Sequence, residues 1–226
     1  MANVNITGLS DSRSAACAGR LIHEQGGRWL VVTETHKQAE QMASDLSFFV
    51  SKKIYLMPPE DKIFVNYEAR SRESLFERLR ILKAMAAEEE YVVIASCMSL
   101  TRKLPPPCVL QDAGFVLKTG QDLDMPATVR RLVDIGYERV PLIYAPGQFA
   151  VRGEILDIFT PYDQLPVRIE LFDTEIESMR SFDLTSQRSV NAVAQLEVSA
   201  ATLLVHDDAC FARAEKLIRR QYKGVP

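Results

Sequence analysis

Three consecutive prolines, Pro105-Pro106-Pro107, cut this 226-residue chain into two stretches with different hydrophobic periods. Proline fixes its own φ, lacks an N–H and biases the preceding residue away from the helical region, so no helix or central strand runs through this point. Upstream, residues 1–103 alternate helix and strand signals, the pattern of a parallel sheet covered by helices. Strands are predicted at 4–9, 29–33, 54–56 and 91–95, those at 29–33 and 91–95 being apolar enough to be buried. Helices are predicted at 15–25, 36–49 (Ala39, Met42, Ala43 and Leu46 on one face) and 71–87, where Leu75, Leu79 and Leu82 form the apolar side.

Downstream the strands read as half-buried and antiparallel. They fall at 115–118, 144–160 bent around Gly147 and Gly153, 167–172, 176–183 and 194–198, with one main helix over 126–136 that Asp124 is placed to cap. Residues 104–195 therefore read as an α+β domain inserted in, or appended to, the α/β domain of 1–103. Residues 196–226 read as the start of a further α/β segment packing on the first domain. Its amphipathic helix (Phe211, Ala214, Leu217, Ile218) stops at Lys223-Gly224-Val225-Pro226 with no element to close the fold, as in a piece of a longer protein.

A net charge of −3 argues against a protein that wraps nucleic acid over its whole surface, because phosphate neutralisation needs surplus Lys and Arg. Residues 104–195 are acidic in themselves, with eight Lys and Arg against 13 Asp and Glu, which suits a basic patch on a partner. The best basic candidate is Arg70, Arg72, Arg78, Arg80 and Lys83, read as a solvated helix face paired with Glu73 and Glu77. Cys17, Cys97, Cys108 and Cys210 lie far apart with no CxxC, and read as reduced, buried thiols in a cytoplasmic protein. With three histidines besides, no spacing suggests a metal site. No apolar run approaches the ~20 residues of a membrane span, and the amino terminus has no signal-peptide pattern.

Gly8-Leu9-Ser10-Asp11-Ser12-Arg13-Ser14-Ala15 occupies the slot where a phosphate loop would place GxxxxGK[ST]. Gly8 matches the first glycine. Arg13 replaces the second, Ser14 the lysine and Ala15 the magnesium-binding hydroxyl, while Asp11 adds a negative charge. A side chain at 13 hinders backbone approach to phosphate, no ammonium reaches it, and no hydroxyl holds Mg²⁺. Nucleotide binding here is not expected, so no cofactor is assigned; an ordinary turn before a helix explains the same eight residues.

The stretch Gly147-Gln148-Phe149-Ala150-Val151-Arg152-Gly153-Glu154-Ile155-Leu156-Asp157-Ile158-Phe159, followed by Pro166-Val167-Arg168-Ile169-Glu170-Leu171-Phe172-Asp173-Thr174-Glu175-Ile176-Glu177-Ser178, resembles the second domain of the excision-repair protein UvrB. More closely, it resembles the corresponding domain of bacterial transcription-repair coupling factors. Gly136-Tyr137-Glu138-Arg139-Val140 and the run from Phe182 to Arg188 fit the same pattern. UvrB keeps an intact phosphate loop, so the degenerate one favours the coupling factors. The resemblance implies a UvrB-like, helicase-like module, without catalysis of its own, that docks on UvrA. It also implies further domains outside this chain that bind RNA polymerase and, using ATP and Mg²⁺, translocate duplex DNA, together with masking of the docking surface in the full-length protein.

Alternation over 167–172 puts Val167, Ile169 and Leu171 on one face and Arg168, Glu170 and Phe172 on the other. If the first face is the core, Phe172 is presented beside Arg168, and a bulge at Gly153 would aim Arg152 to the same side. An aromatic between two arginines has the composition of an interface hot spot. The alternative is that Phe172 covers a helix of its own domain and the arginines pair with Glu154 and Glu170. The resemblance implies UvrA contacts at Arg152, Arg168 and Phe172.

Overall fold

The structure is a computed structural model that describes residues 5–10, 12–59, 72–87, 89–101, 103–205 and 208–221. It divides into two compact units, Met1–Lys103 and Leu104–Pro226.

The first unit is a three-stranded parallel sheet with helices on both faces. In chain order it contains α1 (Ser12–Gln25), β1 (Arg28–Thr33), α2 (His36–Leu46), β2 (Lys53–Met57), α3 (Glu73–Ala87) and β3 (Tyr91–Ser96), with strand order β1-β3-β2. The central β3 is buried at every position, as expected of a continuous apolar strand covered on both sides. On one face Val92 and Ile94 pack with Ile22 of α1 and Ala39 and Leu46 of α2. On the other, Tyr91, Val93 and Ala95 pack with Tyr55, Met57 and Ile81. Helix α2 opens with a capping box in which Thr35 and Gln38 satisfy each other's backbone N–H groups.

Three expectations for this unit need correction. No strand occupies the described part of the first expected one, residues 5–9. The expected buried strand at 29–33 is an edge strand, β1, with Leu30 56% and Val32 50% exposed, while the apolar cluster around Ile81 of α3 is built with residues of β2 and β3. Arg78 is not on a solvated face: it is 2% exposed and donates Nη1 to the Pro58 carbonyl (2.8 Å) and Nη2 to the Ser99 carbonyl (3.1 Å). Of the other basic residues, Arg72 lies over the Phe76 ring and Arg80 pairs with Glu77, while Arg70 lies outside the described residues.

The second unit comprises α4 (Pro107–Ala113), β4 (Phe115–Lys118), α5 (Met125–Asp134), β5 (Glu138–Arg139), β6 (Gln148–Arg152), β7 (Ile155–Phe159), β8 (Val167–Phe172), β9 (Glu175–Phe182), β10 (Ser189–Ala192), β11 (Gln195–Val198) and α6 (Asp208–Gln221). Its six-stranded sheet has the order β10-β9-β8-β7-β6-β5, antiparallel except for β5 and β6; β11 pairs with β4 in a separate ribbon. Asp124 caps α5, accepting from the Ala127 N–H at 2.9 Å. The prolines do more than punctuate, since Pro107 opens α4 at its first turn, where a missing N–H costs nothing.

Residues 196–203, expected to begin another segment, are taken into this unit. Ala200, Ala201 and Leu203 are buried, Tyr137 Oη donates to the Ser199 carbonyl at 3.0 Å, and the Ala201 N–H reaches the Ile135 carbonyl at 2.8 Å. Gly136 makes this possible: at φ 93° it adopts the left-handed region, and a Cβ there would stand 2.6 Å from that of Thr202. The apolar residues Leu217 and Ile218 of α6 are exposed. The thiols are less buried than expected: Cys97 and Cys108 are exposed and Cys17 is intermediate, all three free.

A candidate docking face on the six-stranded sheet

Two tight hairpins set the edge of the face. Arg152 pairs with Ile155 and Phe172 with Glu175, leaving two-residue turns whose first residues, Gly153 (φ 60°) and Asp173 (φ 57°), are left-handed. Gly153 thus heads a hairpin and is not the site of a bulge. Register shifts lie instead where β8 pairs with β9, at Glu170/Leu171, and where β10 pairs with β9, at Ser189/Asn191. Arg152 needs no bend to reach its place, because alternation alone puts it there: Ala150 faces Asp157, Asp157 faces Arg168, and Arg152 is two residues from Ala150 on the same side.

On that side of the sheet the Asp157 carboxylate is 1% exposed and lies between two guanidinium groups. Arg168 grips it through two bonds, Nε to Oδ1 at 2.8 Å and Nη2 to Oδ2 at 2.9 Å, while Arg152 donates Nη2 to Oδ2 at 2.6 Å. A buried carboxylate is costly unless its lone pairs are taken up, and bidentate arginine is the geometry that does so best. The hydrogen bonds it donates to Asp157 push the Arg168 guanidinium above its ordinary pKa, although burial works the other way. Arg168 Nη2 also donates to Gln187 Oε1 at 3.1 Å, and its guanidinium lies 4.4 Å from the centroid of the Phe182 ring. The arginines therefore pair with Asp157, not with Glu154 or Glu170; Glu170 instead accepts from the Ser178 hydroxyl.

Phe172 is 75% exposed, so it does not cover a helix of its own unit. The other face of β8 is the core, with Val167, Ile169 and Leu171 all buried. Arg152, at 44% side-chain exposure, stands freer than Arg168 at 19%. Sequence reasoning brought Arg152, Arg168 and Phe172 to one face and the structure places them there, but it missed Asp157, Phe182 and Gln187. An isolated Asp inside Ile155-Leu156-Asp157-Ile158-Phe159 was the available signal, because a carboxylate in an apolar strand has to be satisfied by something.

The residues set against the phosphate-loop pattern lie where the chain enters α1. Gly8 keeps a left-handed φ of 76°, Arg13 is exposed in the first turn of α1, and Ala15 is 1% exposed with its side chain in the core. Asp11 lies outside the described residues. Among the described residues no cluster of His, Cys, Asp or Glu is arranged to hold a metal ion, and no helix is long and apolar enough to cross a membrane.

Residues 115–204 match the family model described as the UvrB interaction domain. That range opens at β4 and closes just after the buried Leu203. The chain is similar to proteins named transcription-repair-coupling factor: 32% identical over 222 residues to that of Staphylococcus epidermidis, 32% over 201 residues to that of Bacillus subtilis, and 30% over 224 residues to that of Staphylococcus aureus. These alignments cover 98%, 88% and 99% of this chain but 19%, 17% and 19% of the relatives. The chain belongs to the transcription-repair-coupling factor family, spanning about a fifth of its relatives' length and carrying a UvrB interaction domain.

Proposed function

We propose that this chain is the UvrA-recruiting module of a transcription-repair coupling factor, acting in the cytoplasm in transcription-coupled excision repair. The observation that carries the reading is Phe172, 75% exposed on the same sheet face as Arg152 and Arg168. An exposed aromatic that shares a sheet face with two partly exposed guanidinium groups has the composition of an interface anchor. Within the reading this chain has no catalysis of its own. The complete protein is an ATP-dependent DNA translocase that displaces stalled RNA polymerase, its ATP, Mg²⁺, duplex DNA and polymerase being bound by regions outside residues 1–226.

Calorimetry of the 226-residue protein against UvrA from the same organism tests the reading. Saturable binding at micromolar concentration or tighter is expected, and no heat at tens of micromolar overturns recruitment by this chain. A second titration, with ATP and Mg²⁺, is expected to give no binding, because Arg13, Ser14 and Ala15 remove the glycine, ammonium and hydroxyl that a phosphate loop uses. Micromolar nucleotide affinity would favour a working helicase-type domain instead.

A further inference from the structure

Among the residues around Arg168, Asp157 and Gln187 do not stand out toward a partner, yet both hold the guanidinium. We propose that they are positioning residues of the docking face, which fix Arg168 in the geometry the partner meets; this rests on the docking reading above. An arginine has five N–H donors in a rigid plane. Arg168 commits its Nε–H and one Nη2–H to Asp157 and a second Nη2–H to Gln187, and Phe182 lies under the plane. Both Nη1 hydrogens remain, so one edge of the fork is presented in a single orientation.

The loop that delivers Gln187 is itself determined at each step. Gln187 adopts a left-handed φ of 58°, unusual for a residue with a long side chain. Its backbone N–H is tied to the Asp183 carbonyl at 2.8 Å. The Asp183 carboxylate accepts from both the N–H and the hydroxyl of Ser186 at 2.8 Å, which hold its pKa below the usual aspartate value. Because Gln187 Nε2 donates to the Leu184 carbonyl at 2.8 Å, the amide's oxygen is the end left for Arg168. A guanidinium immobilised before contact has less side-chain freedom to lose on binding, which is how preorganisation raises affinity without adding a contact.

The test compares wild type with Gln187→Ala, Asp157→Asn, Arg168→Ala and the Gln187→Ala/Arg168→Ala pair. It reads UvrA affinity by calorimetry and, in the free protein, the exchange rate of the Arg168 Nε–H by NMR. Gln187→Ala, confined to a surface loop, is expected to weaken binding about fivefold in the wild-type background and not at all once Arg168 is alanine, as coupled neighbours do. The Arg168 Nε–H is expected to exchange slowly in the wild type and faster in both Gln187→Ala and Asp157→Asn. An equal loss from Gln187→Ala in both backgrounds, or unchanged Nε–H exchange in both variants, overturns the proposal. If Nε–H exchange responds while Arg168→Ala leaves UvrA affinity intact, the docking reading is wrong and the positioning role falls with it.

Discussion

On the proposed docking reading, Phe172→Ala is expected to weaken binding to UvrA by about 2 kcal/mol, roughly 30-fold in Kd, while leaving the melting temperature within experimental error of the wild type. Both halves of that expectation come from the same number. At 75% exposure the ring contributes little to folding, and substitutions at such positions ordinarily change stability by about 0.5 kcal/mol or less. If the ring enters a pocket on the partner, binding loses the transfer free energy of a phenyl group, about 1.5–3 kcal/mol. Arg168→Ala is expected to match it in affinity but not in stability. Its removal leaves Asp157, 1% exposed, with Arg152 alone, and loss of charge-assisted bonds of this kind costs about 1.5–3 kcal/mol of folding. Phe172 is therefore the cleaner probe. Calorimetry with thermal denaturation of each variant reads both quantities, and a Phe172→Ala protein that binds UvrA as the wild type does would remove the aromatic anchor from the interface.

What the sequence made legible were patterns that one strand or one helix turn carries by itself. The unbroken apolar run of β3, the alternation along β8 and the aspartate ahead of α5 each signal a local geometry, and each is found. What it hid depends on register between strands. Glu154 and Glu170 are near the arginines in sequence, whereas Asp157 meets Arg168 only because β7 and β8 pair with those two residues opposite. Gln187 reaches Arg168 across 19 residues through a turn with a left-handed residue that has no glycine to announce it. The depth of Arg78 was legible but misread. Ile81 and Met85, three and seven residues further along α3, lie on the stripe that faces the sheet, so helical spacing places Arg78 there with them.

That arginine carries the largest stability effect expected in the first unit. Pro58 directly follows β2 and Ser99 lies in the single helical turn Cys97–Leu100 after β3, so the guanidinium ties down the chain at the carboxyl ends of two neighbouring parallel strands. These two acceptors are main-chain carbonyls, which no substitution removes. Arg78→Ala strips both of this donor, the Ser99 carbonyl in a buried place, and opens a cavity as well, a loss of about 3 kcal/mol or more. Arg78→Met restores most of the volume and none of the hydrogen bonds, so it is expected to recover less than half of that loss. A buried ion pair whose two partners are both replaced by apolar groups behaves differently, because it leaves nothing unsatisfied. Arg78→Lys, with one compact donor group in place of a fork, should fall between Met and wild type. Trp29 is the only tryptophan and packs in the first unit, so its fluorescence during urea denaturation follows that unit alone. A midpoint lowered in the order Lys, Met, Ala is the expected result; a methionine variant as stable as the wild type would show that packing, not the pair of carbonyls, is what Arg78 supplies.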